Sequence, residues 1–108
     1  MSLGMHDRDG VIWLDGKLVP WRESQVHVLT HALHYGSAVF EGERLYDGRV
    51  FRLAAHSQRL LNSARLLDYE IPWSRAEIEA ATRAVVRANG LDHAYIRPIA
   101  WRGSEVLG

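Results

Sequence analysis

The stretch "HALHYGSAVFEGERLYDGRVFR", His31–Arg52, decides the fold. Thr30 precedes it and Gly36 closes "HALHY", so a short helix is predicted between them. Alternating residues follow, run into Asp47-Gly48, a pair favoured by type I′ turns, and return as "RVFR". Strands are predicted at about 38–46 and 49–53. On the first, Phe40, Gly42, Arg44 and Tyr46 fall on one side. A guanidinium set among aromatic rings invites the question of which anion it serves.

The same grammar extends outward. "VIWL-DG-KLV", Val11–Val19, reads as an earlier hairpin that Pro20 stops. Downstream, "LAAHSQRLLNSARLL" is helical, with Leu53, Leu60, Ala64 and Leu67 on one buried stripe, and Pro72 closes the segment. Ser74 and Glu77 form a capping box for the next helix, with Trp73 and Ile78 as its hydrophobic staple, and Asn89-Gly90 ends it. "AYIRPIAW", Ala94–Trp101, is an alternating strand with Tyr95, Arg97, Ile99 and Trp101 on one face. Pro98 marks an edge or a bulge there. Hairpin, short helix, hairpin, two helices and a strand specify an α+β fold, an antiparallel sheet with helices packed on one face.

With 108 residues the chain makes one domain able to bury roughly two-thirds of its unfolded surface. Its 47% hydrophobic and 24% charged fractions are those of a globular chain, with no internal repeat or low-complexity segment. A net charge of zero supplies no field to recruit nucleic acid or an anionic membrane. No apolar run reaches the ~18 residues of a spanning helix. The absence of cysteine excludes a disulfide framework and thiolate chemistry and accords with a cytoplasmic address. The thirteen basic residues are twelve arginines and one lysine, Lys17, a set suited to holding carboxylate or phosphate rather than to amine chemistry. "MSLG" before Met5 reads as a cloning scar, leaving 5–108 as the domain. The chain stops at "RGSEVLG" with no element to finish it, which predicts a fragment.

Several residue sets could carry chemistry. The two arginine-bearing strand faces suit a small carboxylate, with Gly42 admitting close approach; the alternative is an exposed face whose arginines merely rest on rings. Arg59 lies on the helix flank shared with Arg52 and His56, where it either reaches an anion or snorkels into water. Arg65, on the opposite flank, reads as solvated. His27, His31 and His34 have helical spacing, but Thr30 interrupts them and packed histidines are expected rather than a metal site. Glu41 and Glu43 share a strand face roughly 6.5–7 Å apart, yet two acids on one strand cannot flank a scissile bond. "GSEVLG" has phosphate-loop glycine spacing without the Lys-Ser/Thr that would give it meaning. No Ser/His/Asp or Cys/His set stands out.

In order, "HVLTHALHYGSAVFEGERLY", "VFRLAAHSQRL" and "AYIRPIAWRG" resemble the N-terminal small domain of branched-chain amino-acid aminotransferases, of the fold-type IV class of pyridoxal-phosphate enzymes. The likeness runs from Ile12 to Gly103. It implies that Arg59, in "HSQRL", binds the cofactor phosphate. It implies that Phe40 and Arg44, beside Gly42, line the substrate pocket with Tyr95 and Arg97, and that Arg97 recognises the side-chain carboxylate of glutamate. Tyr35, in "HYG", is expected to reach across a dimer interface into the partner's site. D-amino-acid transaminases and aminodeoxychorismate lyases carry "GDG" where this chain has "HYG", which argues against both.

The resemblance also implies a Schiff-base lysine in a second, larger domain that this sequence lacks. Lys17 matches no family motif, so no catalytic residue lies in this chain and it is expected to be inactive alone. The complete enzyme would move the amino group between branched-chain L-amino acids and 2-oxoglutarate as a homodimer or higher homo-oligomer, with pyridoxal 5'-phosphate not bound by this piece on its own. A domain parted from its neighbour should expose apolar surface and self-associate. The competing expectations are a free-standing carboxylate-binding or dimerisation module and, within the enzyme class, D-amino-acid transamination or aminodeoxychorismate lyase activity, which a substrate assay decides.

Overall fold

Both Asp-Gly pairs turn as predicted. In the computed structural model, which describes residues 4–104, Asp15 and Gly16 have φ of 53° and 95°, and Asp47 and Gly48 of 48° and 77°. That left-handed backbone is what a type I′ turn requires. The first turn joins β1 (Val11–Leu14) to β2 (Lys17–Pro20), the second β4 (Glu43–Tyr46) to β5 (Arg49–Val50). Pro20 ends β2 opposite Val11, as its missing N–H demands.

The strand predicted over 38–46 is interrupted. β3 (Ala38–Phe40) and β4 are parted by Glu41 and Gly42. The final strand likewise divides into β6 (Ala94–Ile96) and β7 (Ile99–Trp101) around Arg97-Pro98. The breaks face each other, for the Glu41 N–H donates to the Pro98 carbonyl at 2.9 Å. Pro98 has no N–H to return, so the ladder cannot run through. The expected sheet is therefore realised as β3–β7 and β5–β4–β6, beside the β1–β2 ribbon, with every pairing antiparallel. The strand predicted to reach 53 stops at Val50, because Arg52 takes a left-handed φ of 54° and Leu53 opens a helix.

That helix, α2 (Leu53–Leu66), buries Leu53, Ser57, Leu60, Leu61 and Ala64. Leu67, placed on the stripe by periodicity, is 42% exposed, since it is already the capping residue beyond the last turn. The end of α2 is tied to β7: Arg102 donates to the Leu67 and Asp68 carbonyls at 3.2 and 2.8 Å, and the Tyr69 hydroxyl donates to Ala100 O at 3.0 Å. α2 packs on α3 (Arg75–Ala88), β3 and β7. With Leu45 and Ile78, its leucines form the core, each burial stabilising by about 1.5–3 kcal/mol.

α3 opens on the complete Ser74–Glu77 capping box. Trp73 meets Trp13 of β1 edge-on, ring centres 5.0 Å apart, fastening the first hairpin to the start of α3. At the other end Asn89 does more than terminate the helix. Its amide accepts from the Val11 N–H and donates to the Val11 carbonyl, both at 3.0 Å. The short helix α1 (His31–Tyr35) ends on Gly36, with φ of 69°. Thr30 does not cap it through its side chain, which turns back to the His27 carbonyl at 2.6 Å. Instead the carbonyls of Gly103 and Arg102 accept from the first helical N–H groups. Among the described residues, no helix is long and apolar enough to cross a membrane.

Candidate functional site

The outer faces of the interrupted strands come together as alternation predicts. Phe40, Gly42, Arg44 and Tyr46 lie on one such face, where Phe40, Arg44 and Tyr46 are exposed, and so are Tyr95, Arg97 and Ile99 on the other. Register fixes the meeting: Arg44 lies opposite Tyr95 across β4–β6, and Phe40 opposite Ile99 across β3–β7. The Arg97 guanidinium sits 4.2 Å from the Phe40 ring centre and 5.2 Å from that of Tyr95, while Arg44 is 5.7 Å from the Tyr95 ring. Arg97 also donates to the Tyr95 hydroxyl. A Cβ on Gly42 would stand 2.6 Å from that hydroxyl, so only glycine leaves the Tyr95 side chain where it is. Trp101 does not join them, being partly buried and paired with Ala38.

Stacking through its plane leaves the in-plane N–H groups of Arg97 available, apart from the one given to Tyr95. Two cations with aromatic walls on one face make a surface able to hold a carboxylate beside apolar groups.

The inner face holds what sequence reasoning set aside. Glu41 is 4% exposed, and its carboxylate accepts from Arg59 at Nε (2.8 and 3.0 Å) and Nη2 (2.6 Å). The same carboxylate meets His56 Nδ1 at 2.7 Å. The Arg59 guanidinium, with His56 beside it, holds the Glu41 carboxyl below its ordinary range despite burial. Glu43, one alternation on and 1% exposed, has no such partner among the described residues: its Oε1 is unpaired there, and burial pushes its pKa up to about 7. The flank of Arg52, His56 and Arg59 was visible in the sequence, and two acids on the face that also carries Leu45 were the signal for what opposes it.

Arg59 itself does not lie folded along apolar surface: its side chain is 66% exposed at the head of this pair. Its Nη1 lies outside the bonds to Glu41. Tyr35 stands on α1, 65% exposed, with its ring 4.5 Å from His31. The three spaced histidines are engaged locally: His27 Nδ1 accepts from the Leu29 N–H, His31 meets Ser37, and His34 meets the Val28 carbonyl. Among the described residues no group of acids and histidines is placed to hold a metal. Arg65 is exposed and faces Glu70 at 3.6 Å. Lys17 is exposed on β2. Most of "GSEVLG" and the first three residues of "MSLG" lie outside the described residues.

The amino-transferase class IV family matches residues 38–108. A branched-chain-amino-acid aminotransferase of Pseudomonas aeruginosa is 56% identical over 110 residues, covering 98% of this chain and 36% of that protein. The solved T.th. branched-chain amino acid aminotransferase, complexed with N-(5'-phosphopyridoxyl)-L-glutamate, superposes with a TM-score of 0.88 at 48% identity, over 94% of this chain and 36% of that one. The enzyme of Escherichia coli gives a TM-score of 0.88 at 43% identity, over 94% and 34%. The chain thus spans about a third of the length of the relatives it matches. The match from Ala38 onward takes in the aromatic–arginine face and the Glu41–Arg59 pair alike, and this chain belongs to the class IV amino-transferases.

Proposed function

We propose that this chain is the small domain of a pyridoxal-phosphate aminotransferase that moves an amino group between branched-chain L-amino acids and 2-oxoglutarate. The observation that carries it is the convergence of Arg44, Tyr95 and Arg97 with Phe40 around Gly42 on one face. Both substrate types fit such a surface. Phe40 and the tyrosine rings give a branched aliphatic side chain apolar contact, while Arg97 offers a guanidinium to the second carboxylate of glutamate. Solved relatives support the pairing, since the T.th. enzyme was obtained with 4-methylvaleric acid as well as with the phosphopyridoxyl derivative of glutamate.

Arg59 fits the cofactor, because an exposed guanidinium with Nη1 uncommitted can donate to phosphate oxygens. When bound, the cofactor supplies the electron sink through which an amino group changes carrier. Arg59 would hold its phosphate, Arg97 would orient the substrate, and Tyr95 would fix Arg97. Proton transfer is left to a lysine contributed from outside these residues, because Lys17 lies on the first hairpin, away from the site strands. The chain alone is therefore inactive and retains no cofactor. In the whole enzyme, a soluble cytoplasmic homodimer or larger homo-oligomer, Tyr35 would reach the partner's site from its exposed helix.

The test uses the full-length enzyme. Arg97→Ala should lower kcat/KM for glutamate by about tenfold to a hundredfold, as expected for a charge-assisted contact, and that for leucine by much less. Equal losses would remove Arg97 from carboxylate recognition. Arg59→Ala should weaken cofactor affinity to a similar degree, and unchanged retention would take Arg59 out of the site.

A further inference from the structure

A guanidinium has two edges that can each meet a pair of oxygens, one formed by Nε and Nη2 and the other by Nη1 and Nη2. In Arg59 the first edge is filled. Glu41 accepts from Nε and from Nη2, and Nη1 lies outside those bonds on a side chain that is 66% exposed. Glu41 is not free to follow the arginine. It is buried, its own backbone N–H is fixed to Pro98 O at 2.9 Å, and its Oε1 is also held by His56 Nδ1. The restraint passes from the strand break, through a buried carboxylate, to one exposed guanidinium.

The geometry points to Glu41 as the positioning residue of Arg59, fixing the Nη1–Nη2 edge for the phosphate of the cofactor before it arrives. This rests on the reading of Arg59 as the phosphate ligand. Arginine has many rotamers, and an unrestrained one must be immobilised by the ligand at a loss of affinity. A pre-set one is not. The opposing effect is that the Glu41 charge weakens the attraction of Arg59 for an anion. That repulsion acts across the width of the guanidinium, whereas the lost orientation acts at the contact itself, so positioning dominates.

In the full-length enzyme, Glu41→Gln keeps the shape but turns an N–H₂ toward Nη2 or surrenders one bond, and cofactor affinity should fall about three- to tenfold. Arg59→Lys keeps the charge but cannot be held at two points, so Glu41→Gln should cause no further loss in that background. A purely structural Glu41 would weaken both backgrounds alike. No loss or a gain in affinity for Glu41→Gln, or additive losses in the double variant, overturns the inference. Should Glu41→Gln fail to fold, His56→Asn loosens the same carboxylate from a less buried position, and its loss of affinity must likewise vanish beside Arg59→Lys. Full cofactor affinity in Arg59→Ala would instead sink the phosphate assignment itself, whereas a weakened Arg59→Ala beside an unaffected Glu41→Gln sinks only the positioning role.

Discussion

The two faces of the segment from Phe40 to Tyr46 are built from the same short run of sequence and do opposite work. Outward, Phe40, Arg44 and Tyr46 stay in water, and Arg44 lies over the ring of its cross-strand neighbour Tyr95. Inward, Glu41, Glu43 and Leu45 are at most 4% exposed. The outer charges are cheap to maintain and free to meet a ligand. The inner ones have left water, and among the described residues only Glu41 finds compensation, in Arg59 and His56. Alternation sorts residues between faces, but what lies across the layer decides whether a charge becomes a ligand contact, a brace or a liability.

The largest effect expected from this contrast is on pH-dependent stability. Glu43 keeps its proton in the folded chain to about pH 7, while its ordinary value is 4.5. Between those values the unfolded chain has released a proton that the folded one retains, so the Glu43 contribution falls as pH rises and is level above 7. The total is about 3 kcal/mol at roughly 1.4 kcal/mol per pKa unit. Glu41 acts in a separate window. Its carboxyl is held low, so its contribution is complete above pH 4.5 and is lost as pH falls through its native value. Denaturant melts of the wild type and of Glu43→Gln across about pH 4–8 should diverge with this slope, and parallel curves would show Glu43 to titrate alike in the folded and unfolded chain.

Next in size is Gly42→Ala. The added methyl displaces the Tyr95 hydroxyl, the movable end of an exposed side chain, so stability should change by less than about 1 kcal/mol. In the full-length enzyme, affinity for glutamate should drop about tenfold as Arg97 loses its partner. A large stability loss with unaltered affinity would place Gly42 in the scaffold rather than the site. Smallest is Arg44→Ala, whose unfolding free energy should stay within about 0.5 kcal/mol of wild type, because a solvated cation over a ring adds little. A change like that at Glu43 would erase the distinction between the faces.

Much of this was legible in the sequence because it depends on local rules. Asp-Gly turns, the Ser74–Glu77 box, Gly36 and Asn89-Gly90 act within a few residues, and each is where its chemistry predicts. The outer face was readable for the same reason. Pro98 flagged the irregularity of the last strand, but the break at Glu41-Gly42 was not readable, since that strand reads like a continuous one until Pro98 is known to lie opposite. Nor was Arg52 readable as a left-handed residue, because nothing in its side chain favours that backbone. The Glu41–Arg59 pair spans eighteen residues between a strand end and a helix, a meeting that depends on how α2 packs against β3.

Asn89 has one more consequence. By taking both backbone groups of Val11, its amide stands at the start of β1 where another strand would otherwise begin to pair. Strand margins left open are templates for joining neighbouring molecules. A residue whose evident duty is to end a helix thus also closes one point at which the first hairpin could recruit its own kind.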